Sequence, residues 1–312
     1  MPFTQSCRPV RIVTPKKYML DGLWFGAARP KTGIVFVHGL GGNAFSHHDY
    51  LEKLANRNTA VLYFSNRGHD TIAGLKRLKP SARKGYVYED GGVAHEIFTD
   101  CADDLQGAAD LLRKRGAKRI FLVGHSTGCQ KIAYYLSRAG KQARIAHRIA
   151  AQIRGAVLLC PISDYASATH EDERKRHKAE IAARKLLRRG KPHDLLPANL
   201  WRGPIDAQRW VSLYTPDSKE EIFTYAQPPK APRAVHKLKI PLLVIFAGDD
   251  EYRDRPTGEM AAWFRKNLRS PRAAIEIIPG ASHSFNGKEA SLAKFIRRWL
   301  RMIGYPSTRN IA

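Results

Sequence analysis

The feature that most limits what this chain can fold into is Gly124-His125-Ser126-Thr127-Gly128. It follows the apolar run Ile120-Phe121-Leu122-Val123 and precedes a helix-like stretch at residues 130–136. Such a pattern predicts a nucleophile elbow. The serine sits on a sharp strand-to-helix turn with its Oγ exposed, and the flanking glycines leave room for a strained backbone and a close helix crossing. By composition alone, G-x-S-x-G would arise by chance on the order of one time in ten in a chain of this size, so its position between a strand and a helix carries the argument.

A serine in this setting needs partners at ordered places, with an acid and then a histidine following the nucleophile along the chain. Pro241-Leu242-Leu243-Val244-Ile245-Phe246 reads as a buried strand running into Ala247-Gly248-Asp249-Asp250-Glu251-Tyr252, where Asp250 is the expected acid and Asp249 its neighbouring alternative. The strand-like Ala274-Ile275-Glu276-Ile277-Ile278 leads into Pro279-Gly280-Ala281-Ser282-His283, which makes His283 the expected base. A serine hydroxyl is a weak nucleophile at neutral pH. His283 would take its proton, and Asp250 would fix the imidazole tautomer. Upstream, Ile34-Val35-Phe36-Val37 enters His38-Gly39-Leu40-Gly41-Gly42, a turn whose backbone amides can face the serine. The expected oxyanion donors are the N–H groups of Thr127 and Leu40, with Gly39 and Gly41 as register alternatives for the second.

With four motifs in this order, the chain resembles an α/β-hydrolase from Val10 to its last helix. It is also similar to a narrower hydrolase family that includes fungal esterases acting on fusarinine-type siderophores. The segments carrying that similarity are Gly124–Gln130, Ala207-Gln208-Arg209-Trp210-Val211-Ser212-Leu213, Glu221-Ile222-Phe223 and Asp250-Glu251-Tyr252. Where that family's acid loop continues into an apolar residue and proline, this chain has Arg253-Asp254-Arg255-Pro256. The resemblance implies a serine hydrolase, foremost a carboxylic ester hydrolase working through an acyl-enzyme. Thioesterase, acyltransferase and C–C hydrolase chemistry use the same residues, and a noncatalytic ligand receptor on this fold is the alternative of another class.

Alternating strands and helices predict a mostly parallel central sheet with helices on both faces. An antiparallel pair is expected at residues 11–13 and 20–25, strands at 34–37, 60–64 and 156–159, and helices at 47–57 and 98–115. Residues 71–93, rich in Lys, Arg and Gly, read as an irregular excursion. The stretch between the strands at 156–159 and 241–246 is far longer than a crossover requires and must carry structure of its own. Residues 1–162 with 239–312 are therefore expected to form the core, and residues 163–238 an inserted helical lid. Within the lid, residues 169–189 read as a helix with a possible cap at Thr169 and Asp172 three residues on. Ala179, Ala182, Ala183, Leu186 and Leu187 form its apolar stripe beneath Arg174, Lys175, Arg176, Lys178, Arg184, Lys185, Arg188 and Arg189. Trp201, Trp210, Tyr214, Phe223 and Tyr225 follow, as lid core or as walls of a pocket.

The 53 Lys plus Arg against 28 Asp plus Glu give a formal net charge of +25. That field favours anionic partners: it could steer an acidic small molecule such as an anionic ester or related acyl substrate, hold nucleic acid nonspecifically, or serve solubility, and charge alone does not choose among these. It arrives with no helix-turn-helix, zinc-finger or RNA-binding signature, so no specific nucleic acid is expected. No secretory h-region or membrane-length apolar run is evident, and the expectation is a soluble cytoplasmic protein without membrane attachment. Cys7, Cys101, Cys129 and Cys160 are scattered without metal-ligand spacing and read as reduced thiols. Neither a metal nor a cofactor is expected. His38 reads as a structural residue bonding neighbouring loops, His125 as pointing away from the cavity, Cys129 as packing beneath the elbow, and His47-His48 as surface residues.

Overall fold

Continuous apolar runs have no polar face to give to water, so they become central strands covered on both sides. In the computed structural model, which describes residues 6–46, 49–138, 152–168, 172–227 and 229–304, five such runs and one half-buried edge strand form a parallel array. They are β3 (Thr32–Val37), β4 (Thr59–Phe64), β7 (Arg119–His125), β8 (Ile153–Leu159), β9 (Leu242–Ala247) and β10 (Ala273–Ile278). Their order is β10-β9-β8-β7-β3-β4, and the sheet continues antiparallel through β2 (Tyr18–Gly26), with β1 (Cys7–Val13) paired to β2. Every residue of β3, β4 and β9 is buried.

Helices cover both faces. On one lie α2 (Cys101–Lys114), α3 (Thr127–Arg138) and α7 (Thr257–Asn267), whose Leu105, Leu112, Ile132 and Phe264 join Val35, Leu122 and Val244 of the sheet in one apolar cluster. On the other lie α1 (Asp49–Glu52) and α8 (Glu289–Met302), whose Leu51, Ile296 and Trp299 pack on Phe36, Val123 and Ile245.

Two expectations are corrected here. The excursion at residues 71–93 is a β-hairpin: β5 (Ala73–Leu78) and β6 (Tyr86–Gly91) pair antiparallel, and β5 extends the sheet beyond β2. Its strands are polar because they form an exposed edge. Their pairing is supported by Lys76 of β5 lying over the Tyr86 ring of β6 at 3.8 Å. The helix expected at residues 47–57 is, within the described residues, a single turn. Asn56 bonds the amide of Asn58 through its side chain and exchanges two backbone hydrogen bonds with Thr59, so the chain turns into β4 instead of continuing as helix. His47 and His48 lie outside the described residues.

Residues 163–238 contain α4 (Asp164–Ser167), α5 (Glu173–Arg188), α6 (Ala207–Tyr214) and short 3₁₀ turns. The expected cap at Thr169 lies outside the described residues; the N-cap of α5 is Asp172, whose carboxylate accepts the Lys175 amide at 2.8 Å. Ala179 and Ala183 are buried on the inner face of α5, while Arg174, Lys178, Lys185 and Arg188 stand exposed. The inserted segment owns an apolar cluster in which Trp201, Trp210 and Tyr214 pack ring on ring at 4.8–5.7 Å. Phe223 and Tyr225 instead join the main core beside Phe264 and Trp263.

A buried charge network ties this segment to the sheet. Arg209 on α6, fully buried, pairs with Glu220 and, at 2.8 Å, with Glu96. Glu96 also receives Lys131 of α3 at 2.6 Å. Burial pushes the Glu96 carboxyl up, but Lys131 and Arg209 together hold it below its usual range. Two cations and two carboxylates balance, which is the condition for keeping ions out of water. Replacing Arg209 by Met should therefore leave Glu220 without its cation and Glu96 with Lys131 alone, and cost about 3–5 kcal/mol, read as a fall in the urea unfolding free energy. A loss under about 0.5 kcal/mol would refute a structural role for the pair.

Candidate active site

All the expected site residues lie on loops leaving the carboxyl ends of parallel strands, and parallel strands bring those ends to one edge of the sheet. Ser126 follows β7 and has φ 54°, in the left-handed region. Three contacts hold it there. Its amide donates to the Leu159 carbonyl at 2.9 Å, its carbonyl accepts the Cys129 amide at 2.8 Å, and α3 begins at the next residue. A Cβ on Gly128 would overlap the Val37 carbonyl oxygen, and one on Gly124 would lie 2.7 Å from Gly128. Both glycines are therefore demanded by the crossing of α3 over β3 and β7. Cys129 is fully buried below the turn, with Sγ 3.3 Å from the Gly124 carbonyl oxygen and 3.2 Å from that of Leu159.

Asp250 and His283 meet: His283 Nδ1 donates to Asp250 Oδ2 at 2.8 Å, with Asp250 only 2 % exposed. Burial pushes the Asp250 carboxyl up, but the hydrogen bond and charge of His283 and the Tyr252 amide on Oδ1 at 2.9 Å bring it below its ordinary value. The neighbouring Asp249 side chain is 72 % exposed and faces Arg253 at 3.9 Å, so burial distinguishes the two carboxylates. Arg253 folds back onto the Gly248 carbonyl at 2.8 Å, and Arg255 pairs with Asp254 and donates to the Tyr225 carbonyl at 3.1 Å. These two arginines brace the acid loop, one against itself and one against the inserted segment.

The turn after β3 lies against the serine: a Cβ on Gly39 would fall 2.9 Å from Ser126 Cβ. Gly42 donates its amide to the Gly39 carbonyl at 3.2 Å, and Gly41 has φ 68°, the geometry of a tight turn with glycine at its third position. His38 accepts the Asn66 amide on Nε2 at 3.1 Å, so its proton is on Nδ1, which donates to the same Gly39 carbonyl at 2.8 Å. Burial, reinforced by the charge of Lys131, lowers the His38 pKa to about 3. This imidazole is a neutral clamp on the turn. Leu40 is 40 % exposed at the cavity wall, and Thr127 opens α3 with its amide among those that have no intrahelical acceptor.

A cavity of about 580 Å³ collects these groups; Leu40, Ser126 and His283 line it together with Asp164, Arg202, Tyr214 and Tyr252. Of Trp201, Trp210, Tyr214, Phe223 and Tyr225, Tyr214 is the one in this lining. His125 corrects its expectation. It lines the cavity, its ring centroid is 4.7 Å from that of His283, and its Nε2 donates to the His283 carbonyl at 2.8 Å. The bend at Ser126 turns the preceding side chain along the loop that carries His283. Burial and the nearby His283 lower the His125 pKa to about 4. Two further supports were not legible: Glu251 accepts the His283 amide at 2.8 Å, and the Tyr252 ring stands edge-on to the imidazole at 4.9 Å. Both adjoin Asp250 in sequence, which is the one signal that could have found them.

Among the described residues, His125, Cys160 and His283 form a group whose potential metal-ligand atoms lie within 4.8 Å of one another. Their chemistry points elsewhere. His283 Nδ1 is engaged by Asp250, His125 Nε2 by a carbonyl, and burial pushes the Cys160 thiol well above its ordinary pKa. All four cysteines are free thiols, and no described helix is long and apolar enough to cross a membrane.

A parallel sheet in this order, covered on both faces, with a strained serine after β7 and a histidine–carboxylate pair on later loops, defines an α/β-hydrolase fold. Solved structures agree. Siderophore hydrolase EstB from Aspergillus fumigatus superposes with a TM-score of 0.66 at 18 % identity, over 97 % of this chain and 98 % of that one. A soluble variant of the monoglyceride lipase from Saccharomyces cerevisiae gives 0.62 at 14 % identity, over 97 % and 99 %. A thermophilic esterase from Thermogutta terrifontis gives 0.56 at 18 %, over 95 % and 99 %. The chain belongs to the family described as Protein of unknown function (DUF1749), whose model matches residues 94–303. No curated protein matches its sequence. The broad and the narrower resemblance read from the sequence both have their counterpart in these matches.

A left-handed φ at a non-glycine residue costs roughly 1–2 kcal/mol. Replacing Ser126 by Gly should therefore give a protein about 1 kcal/mol more stable than Ser126→Ala, which keeps the Cβ and its strain; paired urea titrations measure the difference.

Proposed function

We propose that this protein is a serine hydrolase acting on carboxylic esters through Ser126, His283 and Asp250. The observation that carries the reading is the 2.8 Å hydrogen bond from His283 Nδ1 to a buried Asp250, in one cavity with a serine on a strained elbow. Because Nδ1 holds the proton, Nε2 is left as the basic nitrogen. It takes the Ser126 proton as Oγ attacks the ester carbonyl, and Asp250 stabilises the imidazolium that forms. His283 then protonates the leaving alcohol, and water attacks the acyl-enzyme by the same route.

The oxyanion is held by the Thr127 and Leu40 amides. The Gly39 carbonyl takes two hydrogen bonds, from Gly42 and His38, and a trans peptide directs the following N–H the opposite way. That pairing frees the Leu40 amide for a developing charge. The inserted segment acts as a lid over this site, contributing Asp164, Arg202 and Tyr214 to the cavity. The net charge of +25 favours an anionic ester.

The test is hydrolysis of 4-nitrophenyl butyrate together with labelling by a fluorophosphonate. Wild type should turn over the ester and label; folded Ser126→Ala should do neither, because loss of a triad nucleophile costs orders of magnitude. Labelling of the folded Ser126→Ala protein at wild-type rate would remove the assignment. Asp250→Asn should lower kcat about 10³–10⁴-fold through the wrong imidazole tautomer. Asp249→Asn should stay close to wild type, and the reverse ranking would move the acid by one residue.

A further inference from the structure

Resting on that reading, we infer that Asp164 is a substrate-contacting hydrogen-bond donor, which makes the preferred substrate a compact ester with a hydrogen-bond acceptor, of amide type, in its non-scissile part. The walls mix polar and apolar surface. Besides the reacting pair, Asp164, Arg202 and Asn286 line the cavity beside Leu40, Ile162, Tyr214 and Tyr252. Such walls give a polar group in the substrate a partner, and a purely hydrocarbon chain would leave the buried polar groups without one once water is displaced.

Asp164 stands out among these. Ser163 caps α4 and so fixes the residue at the start of the helix, where its side chain enters the lining. Oδ2 accepts Gln130 Nε2 at 2.8 Å, and Gln130 is held in turn by the Ile162 carbonyl at 2.9 Å. Oδ1 receives no hydrogen bond from the described residues. The surroundings are acidic and basic at once: Glu220 and Glu221 precede the 3₁₀ turn at Thr224–Ala226, Arg209 lies on α6 and Lys131 on α3. Burial, with Glu220 next in weight, raises the Asp164 pKa to about 8, so at neutral pH the carboxyl keeps its proton. With Oδ2 satisfied as an acceptor, that proton sits on Oδ1 and can be offered to a ligand. A carboxylic acid kept neutral by its site is a strong donor to a carbonyl oxygen.

Two matched pairs of esters test this. On the acyl side they are the 4-nitrophenyl esters of N-acetylglycine and of pentanoic acid; on the alcohol side, the butyrates of N-acetylethanolamine and of pentan-1-ol. Asp164→Ala should lower kcat/KM about tenfold more for the acetamido ester of at least one pair than for its hydrocarbon partner, and Asp164→Asn, which keeps a donor, should restore that selectivity. In wild type the advantage of the acetamido ester should be full below pH 8 and lost as Asp164 ionises above it, whereas Asp164→Asn should hold it through that range. The pH profile needs no destabilised variant. Equal losses for both members of both pairs, no loss in any, or a wild-type selectivity flat through pH 8 would overturn the inference, as would a higher kcat/KM for 4-nitrophenyl palmitate than for the 4-nitrophenyl ester of N-acetylglycine. If these outcomes accompany Ser126-dependent turnover, the hydrolase reading stands. Absence of turnover and of fluorophosphonate labelling ends both.

Discussion

The crossing of α3 over the ends of β3 and β7 is the constraint on which the remaining site geometry rests. Gly128 must approach the Val37 carbonyl, and Gly124 must approach Gly128, more closely than any side chain permits. The turn between them has one residue to reverse direction, and Ser126 takes the left-handed φ that results. A residue in that conformation persists only where its surroundings over-determine it. Here the Leu159 carbonyl, the Cys129 amide and the packed thiol beneath supply that determination.

From that point the polar structure spreads outward in linked steps. Lys131, one turn into α3, donates to Asn66 Oδ1 at 3.0 Å; Asn66 donates its amide to His38, and His38 to the Gly39 carbonyl. On its other side Lys131 meets Glu96, and Glu96 meets Arg209 of the inserted segment. One chain of buried contacts thus runs from the inserted segment to the turn beside the serine. Each member is satisfied chiefly by the next, which is why a charged network can sit in a low-dielectric interior. Arg209, within one of the segments that carried the family resemblance, is accounted for by this burial and not by contact with the cavity.

The parts that were legible share a cause. β3, β4, β8 and β9 are apolar runs because strands buried on both faces admit little else, and the elbow announces itself because close crossings admit only glycine. The parts that were missed also share one. The hairpin of β5 and β6 has an exposed edge, so its side chains carry no apolar signal, and its pairing is decided by partners distant in sequence. Asn56 ended the expected helix through a local hydrogen bond that outweighs a weak helical preference. His125 was misjudged because its direction depends on where the loop after β10 arrives.

The sequence by itself determined the class of fold, the position of the strained serine and the two loops holding the candidate acid and base, since periodicity and glycine spacing are local properties of the chain. Only the tertiary structure showed which of Asp249 and Asp250 meets His283, because the two are adjacent in sequence and differ in burial. It alone showed that His38 is neutral and bound to the Gly39 carbonyl, and that Asp164 enters the cavity among Glu220, Arg209 and Glu221. Hydrogen-bond direction, burial and proton affinity are set by neighbours that converge from different parts of the chain, and that convergence exists only once the sheet has formed.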